Sequence, residues 1–158
     1  MKKIAANLSL LLVGLSITAA VAFAADSTVG TWKLNAANSK FTGSFVVKSQ
    51  TDVREATPDG GVKVTREGQL GDGTPIKGSF TYKYGGKEYP ATGLAFDVLS
   101  VKRTDPNTTT FEVKKTGGKY HVAGTTVISA DGKTMTQTAK GTDAEGKPIS
   151  STVVFDKQ

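Results

Sequence analysis

The chain has 158 residues, with no cysteine, one histidine, one tryptophan, 18 glycines and a formal charge of +6. Without cysteine there is no disulfide, thiolate metal site or thiol nucleophile, and one histidine cannot build the usual His/Cys metal cluster. The only arginines are Arg54, Arg66 and Arg103, and the lysines are scattered with no run of four basic residues. That pattern excludes the clustered basic stripe of a nucleic-acid binder and reads as a solvated outer face.

In chain order, residues 1–24 read MKKIAANLSLLLVGLSITAAVAFA. Lys2 and Lys3 precede an apolar run that ends in Ala22-Phe23-Ala24, the layout of a secretory signal peptide cleaved before Ala25. The run is nearly long enough to span a bilayer. Ser9, Gly14, Ser16 and Thr18 dilute it, however, and no stable membrane insertion is expected after cleavage. The expected destination is the periplasm or the medium. Removing 24 residues takes away two lysines and no acid, leaving 134 residues and lowering the charge from +6 to +4. Residues 25–158 suit one domain, expected as a monomer.

That domain is punctuated by turn chemistry: PDGG at 58–61, GDGTP at 71–75, YGGK at 84–87, TDPN at 104–107, TGGK at 116–119, ADGK at 130–133 and DAEGKP at 143–148. Glycine and Asp-Gly supply the positive φ that tight hairpins require. Between the turns, segments rich in Val, Thr, Tyr and Phe predict ten strands, over 29–34, 44–56, 61–70, 76–84, 86–90, 97–103, 108–115, 119–129, 133–141 and 148–157. The clearest alternation puts Ile76, Gly78, Phe80, Tyr82 and Tyr84 on one face, opposite Lys77, Ser79, Thr81 and Lys83. In 45–56 the same rule groups Phe45, Val47, Ser49, Thr51 and Val53 against Lys48, Gln50, Asp52 and Arg54. Near the end, Ile149, Ser151, Val153 and Phe155 share a face. A ten-strand meander must hide two edges, and closure does so directly. The predicted fold is therefore all-β, a single antiparallel up-and-down β-barrel, with a two-sheet sandwich as the second choice.

Candidate site residues follow from strand parity. Arg66 shares a face with Val62 and Val64, and Arg103 shares one with Leu99 and Val101. An arginine inside a barrel must be paired or meet an anion, because an isolated buried charge is costly. Both are candidate anchors for a carboxylate or phosphate. The plainer alternative is that they sit at strand ends and reach out to solvent or pair with Glu55. Phe80, Tyr82, Tyr84 and Phe111 are candidate pocket walls, and Gln137, on the face of Met135 and Ala139, is a candidate polar contact. For all of these an ordinary core role is the plainer alternative. His121 reads as a plain strand residue, since no Gly-x-Ser-x-Gly or Ser-x-x-Lys setting accompanies it. Asp143 and Glu145 alternate as in a calcium loop but lack its remaining ligands. No cofactor, metal or catalytic group is expected.

The opening GTWKLN and the closing TMTQTAKGTDAEGKPISSTVVFDK carry a resemblance. The first is similar to the opening strand of the fatty-acid-binding proteins, and the second to the end of the same barrels. More specifically, GTWKLN with SKF, YGGKEYPATG, DGKTMT and KGTDAEGKP resemble small secreted bacterial proteins of unknown function described as lipocalin-like. The resemblance implies a ligand cavity, with Gly30 letting the chain pass closely at the base and Trp32 packing across the barrel floor. The expected occupant is a small hydrophobic or anionic amphipathic molecule. The alternative is a filled barrel serving as an envelope or interaction module. The fatty-acid binders hold a carboxylate through an Arg-x-Tyr pair on the last strand, where this chain has Val153 and Phe155. The segment AANSKFTGS is also too short for their two-helix lid.

Overall fold

The computed structural model describes residues 26–158, so the proposed leader, residues 1–24, lies outside the described residues. Eleven strands follow one another: β1 (Gly30–Leu34), β2 (Lys40–Thr42), β3 (Val47–Ala56), β4 (Val62–Leu70), β5 (Pro75–Tyr82), β6 (Gly85–Thr92), β7 (Val98–Asp105), β8 (Thr108–Lys114), β9 (His121–Ile128), β10 (Thr134–Thr142) and β11 (Pro148–Lys157). From β3 onward each strand pairs antiparallel with its successor, and β1 closes the circle by pairing with both β3 and β11. Ten strands thus make a closed barrel, as the turn spacing predicts, and the sandwich alternative falls away.

β2 was not expected. Asn35 caps a 3-10 turn at Ala36–Asn38 by accepting from the Asn38 N–H at 3.1 Å. The Ser39 hydroxyl donates to the Asn35 carbonyl at 2.8 Å and accepts from the Val154 N–H at 2.9 Å. These bonds turn the chain back onto β11, where Phe41 pairs with Ser151. β1 and β2 therefore lie one after the other along β11, and the segment between the first two barrel strands holds one turn and one short strand.

One predicted face is reversed. β3 and β4 pair Val47 with Leu70 but Ser49 with Gln69, so Lys48 is an extra residue on the bulged strand. A one-residue slip exchanges the two faces of a strand. Val47 points inward, but beyond the bulge Gln50, Asp52 and Arg54 are the buried residues, while Val53 is 38% exposed. Gly68, opposite Gln50, makes room for the bulge: a Cβ there would lie 2.1 Å from the Ser49 carbonyl oxygen.

The interior holds two apolar clusters. One follows the β4–β9 wall and includes Val62, Val64, Phe80, Tyr82, Leu99 and Val122. The other, Trp32, Ile128, Met135 and Phe155, lies where β1, β10 and β11 meet the end of β9. Polar side chains separate them: Thr126 stands between Ile128 and Val122 along β9, and Gln137 between Met135 and Ala139 along β10. Trp32 is fully buried, and its indole N–H donates to the Thr28 carbonyl at 2.8 Å. Gly30, at φ +132°, lets Lys157 pass: a Cβ there would meet the lysine Cε at 2.6 Å. The lysine ammonium lies 5.1 Å from the centre of the Trp32 ring system.

Candidate functional site

The barrel encloses a cavity of about 360 Å³, inside the range typical of small-molecule sites. Its apolar wall includes Phe80, Phe96, Leu99 and Phe111, with Phe41, Phe45 and Leu94 toward one end. At that end the lining includes Thr74, Gly93 and Ala95, all exposed, so the cavity opens to solvent between the 71–74 and 93–97 loops. The other end is closed by the residues packed around Trp32.

Several polar residues line the cavity, the exposed Lys140 and Ser150 among them. From β3 and β4 come Gln50, Arg54 and Arg66; from β8, β9 and β10 come Thr109, Thr126 and Gln137. In strand order these two groups lie about half the circumference apart. Gln137 donates through its amide to the Thr126 hydroxyl at 3.1 Å.

Asp52 organises the first group. It is fully buried and pairs across the ladder with Arg66, which grips it through two parallel bonds of 2.8 Å, Nε to Oδ1 and Nη2 to Oδ2. The Gln50 amide donates to Oδ1 at 2.9 Å. Arg54 reaches Oδ2 only at 3.4 Å, and its Nε is buried with no acceptor. Burial alone would push the Asp52 carboxyl up, but the charge and hydrogen bonds of Arg66, reinforced by Arg54 and Gln50, hold it below the ordinary carboxylate value. Burial likewise opposes the Arg66 cation, and Asp52 outweighs it and raises the arginine pKa. Burial raises the Tyr120 hydroxyl, and Arg66 partly offsets the rise. The Arg66 guanidinium also lies 5.7 Å from the Phe80 ring centre.

Of the residues singled out in the sequence, Arg66, Phe80, Tyr82, Phe111 and Gln137 line this cavity. Arg66 pairs with Asp52 and not with Glu55, which is exposed. Arg103 and Tyr84 do not line it. Both sit on the expected face, but at strand ends near the floor, where residues 26–28 fold beneath them. There the Arg103 Nη2 donates to Asp26 at 2.8 Å, the Tyr84 hydroxyl donates to the same carboxylate at 2.6 Å, and the Arg103 guanidinium stacks 3.6 Å from the Tyr84 ring centre. Thr28 adds its hydroxyl, 2.9 Å from that of Tyr84. Burial raises the Asp26 pKa, but the bonds from Tyr84, Thr28 and Arg103 together lower it. Burial is also what drives the Tyr84 hydroxyl strongly upward.

Sequence parity missed Gln50, Asp52 and Arg54, and the readable signal was Gly68, a glycine inside a strand that marks a bulge or close approach. At the position of the fatty-acid binders' clamp, Val153 and Phe155 do line the cavity, yet they offer it only carbon. Its guanidiniums come from β3 and β4. His121 lies on the outer surface, 2.7 Å from Glu112.

No known protein-family profile matches the chain, and no curated protein matches its sequence significantly. Solved structures do match. The wild-type fluorescent protein UnaG superposes with a TM-score of 0.53 at 13% identity, covering 84% of this chain and 98% of that one. An asparagine-to-alanine mutant of UnaG gives 0.53 and 13%, over 84% and 96%. EF1p2_mFAP2b bound to DFHBI gives 0.48 and 11%, over 84% and 94%. The likeness to UnaG, with the closed ten-strand topology, shows a barrel of the fatty-acid-binding-protein and lipocalin type.

Proposed function

We propose that this chain is an exported, lipocalin-like, non-catalytic carrier that holds one small apolar or amphipathic molecule inside its barrel. It is similar in motif to the small secreted bacterial lipocalin-like proteins, and acts in the periplasm or the medium. The observation that carries this reading is the cavity: about 360 Å³, closed at the floor, open at the mouth, apolar along its wall and crossed by a few fixed polar groups. An interaction module with a filled barrel would have no use for such a volume. Native mass spectrometry and solvent extraction of the protein purified from its own host test the proposal, together with displacement of a fluorescent lipid probe. One extractable apolar or amphipathic molecule per barrel, displaced by the probe, is the expected result. A barrel that is empty from its host and takes up no probe would overturn it.

A further inference from the structure

The ring of strands has one open seam. β1 pairs with β3 only from Gly30 to Lys33, opposite Arg54 to Thr51. Closer to the mouth the chain turns away through the 3-10 turn, and β2 pairs with β11. No ladder joins β2 to β3 among the described residues. Residues 47–50 of β3, the bulge included, therefore have strand partners on the β4 side only, and β2 presents its own free edge across the gap. A surface hollow marks the place, lined by Lys33, Leu34, Lys48, Ser49, Thr51 and Gly68. An open edge is a row of backbone donors and acceptors that templates the addition of another strand.

Charge decides which strand. Lys33, Lys40 and Lys48 are exposed and make no ion pair among the described residues. The acids beside them are engaged elsewhere. Glu67, also in the hollow, pairs with Lys77 at 3.5 Å. Asp156, across the ladder from Lys33, accepts from the Asn35 amide at 2.8 Å. Lysines on an edge turn away apolar and basic strands. Residues 1–24 of this chain, with two lysines and no acid, are such a mismatch. An acidic strand meets complementary charge.

We propose that the seam between β2 and β3 is a docking site for an extended acidic segment of a partner protein. The segment adds as a short strand to the free edge of β3 and sets its carboxylates against Lys33 and Lys48. Main-chain bonds supply the affinity, and alternate side chains supply the specificity. Successive residues of a strand face opposite ways. Acidic residues therefore point outward to the lysines, and small apolar residues between them point inward to Leu34. The inference is independent of the carrier reading, because a strand seated in the wall requires nothing of the cavity.

The test uses three end-blocked peptides: alternating Glu and Val, alternating Lys and Val, and the Glu-Val sequence N-methylated at every residue. The last keeps its charge but loses its backbone donors. Inorganic sulfate serves as an anion without a chain. Binding is followed through the backbone amide resonances of the protein. The Glu-Val peptide is expected to shift the amides of residues 40–42 and 47–50, and to bind about tenfold or more tighter than either other peptide. Lys33→Glu combined with Lys48→Glu should reverse the preference, so that the Lys-Val peptide binds tighter. Equal binding of the N-methylated peptide, or sulfate shifting the same amides as strongly, overturns the proposal in favour of a plain anion patch. Shifts confined to the 71–74 and 93–97 loops overturn it in favour of uptake at the mouth. No binding of the Glu-Val peptide overturns it outright. The three-peptide comparison needs no variant, so poor folding of the double reversal would not shield the proposal.

Discussion

At the barrel floor, one carboxylate, Asp26, meets one guanidinium, Arg103, and a tyrosine hydroxyl completes the set. Midway up the barrel, one carboxylate, Asp52, meets two guanidiniums. The floor is charge-balanced and partly wet, with Arg103 34% exposed and its charge spread over the Tyr84 ring. The middle is more deeply buried, and there two guanidiniums meet one carboxylate. Both regions are Asp–Arg clusters on inward faces of the same barrel, yet the first fastens residues 26–28 beneath the floor and the second lines the cavity. Residue type and burial do not separate the two clusters, nor does an unmet nitrogen, since Arg54 and Arg103 each bury an Nε with no acceptor among the described residues. Stoichiometry does: only Asp52 meets two guanidiniums.

The contrast is broken most strongly by removing each carboxylate. Asp52→Asn leaves two buried cations without a counter-charge and is expected to cost about 3–5 kcal/mol of unfolding free energy, in the range of a broken buried pair. Asp26→Asn, beside a partly solvated arginine, is expected to cost about 1 kcal/mol or less. Urea titrations of the two variants measure the difference, and equal losses would erase the distinction between floor and middle.

Removing the arginines sharpens the comparison, because the expected signs differ. Arg54→Met takes away a cation with an unsatisfied donor and should leave the ligand-free protein as stable as before, or more stable by about 1 kcal/mol. Arg103→Met strips Asp26 of its charge partner and should lose about 1 kcal/mol. Thermal melts of ligand-stripped protein decide the matter, and a clear loss in Arg54→Met would mean that Arg54 is a structural strut.

The smallest effect concerns pH. Both aspartates have folded pKa values below the ordinary 3.8, so the stability they contribute is present above that value and is lost as pH falls through the lowered one. Asp52→Asn and Asp26→Asn should each flatten the acid limb of the stability profile. The alkaline side rests on tyrosines. Tyr84 and Tyr120 both have raised pKa values, so their contribution is intact below the ordinary 10.0 and is lost as pH rises past it. Tyr84 is held up by burial with Asp26 beside it, whereas Arg66 opposes the rise at Tyr120. Tyr84→Phe should flatten the alkaline limb more than Tyr120→Phe in melts between pH 9 and about 11.

The barrel was legible because its turns are chemically marked and its strands alternate, so ten strands appear at shifts of three residues or fewer at their ends. Arg66, Phe80, Tyr82, Phe111 and Gln137 were legible for the same reason: in an unbroken strand, parity fixes the face. Arg54 and Asp52 were not. Val47 and Val53 look like one apolar face, and the extra residue between them costs too little to leave a mark in the pattern, apart from the glycine across the ladder at position 68. Arg103 was placed on the correct face, but its partner is Asp26, 77 residues earlier, a contact that only closure of the barrel creates.

That closure also has a kinetic side. β11 is the partner of both β1 and β2, and Trp32 must find Lys157 before the circle exists. Until residues 148–157 are available, β1 and β10 are open edges, and the polar band meant for the interior faces water. Such long-range pairing belongs to the slow class of single domains, which fold in milliseconds to seconds. Throughout that interval β1 and the Thr-rich β10 are exposed as edges to neighbouring chains. The final strand therefore acts as a clasp, and the risk of self-association falls when it engages.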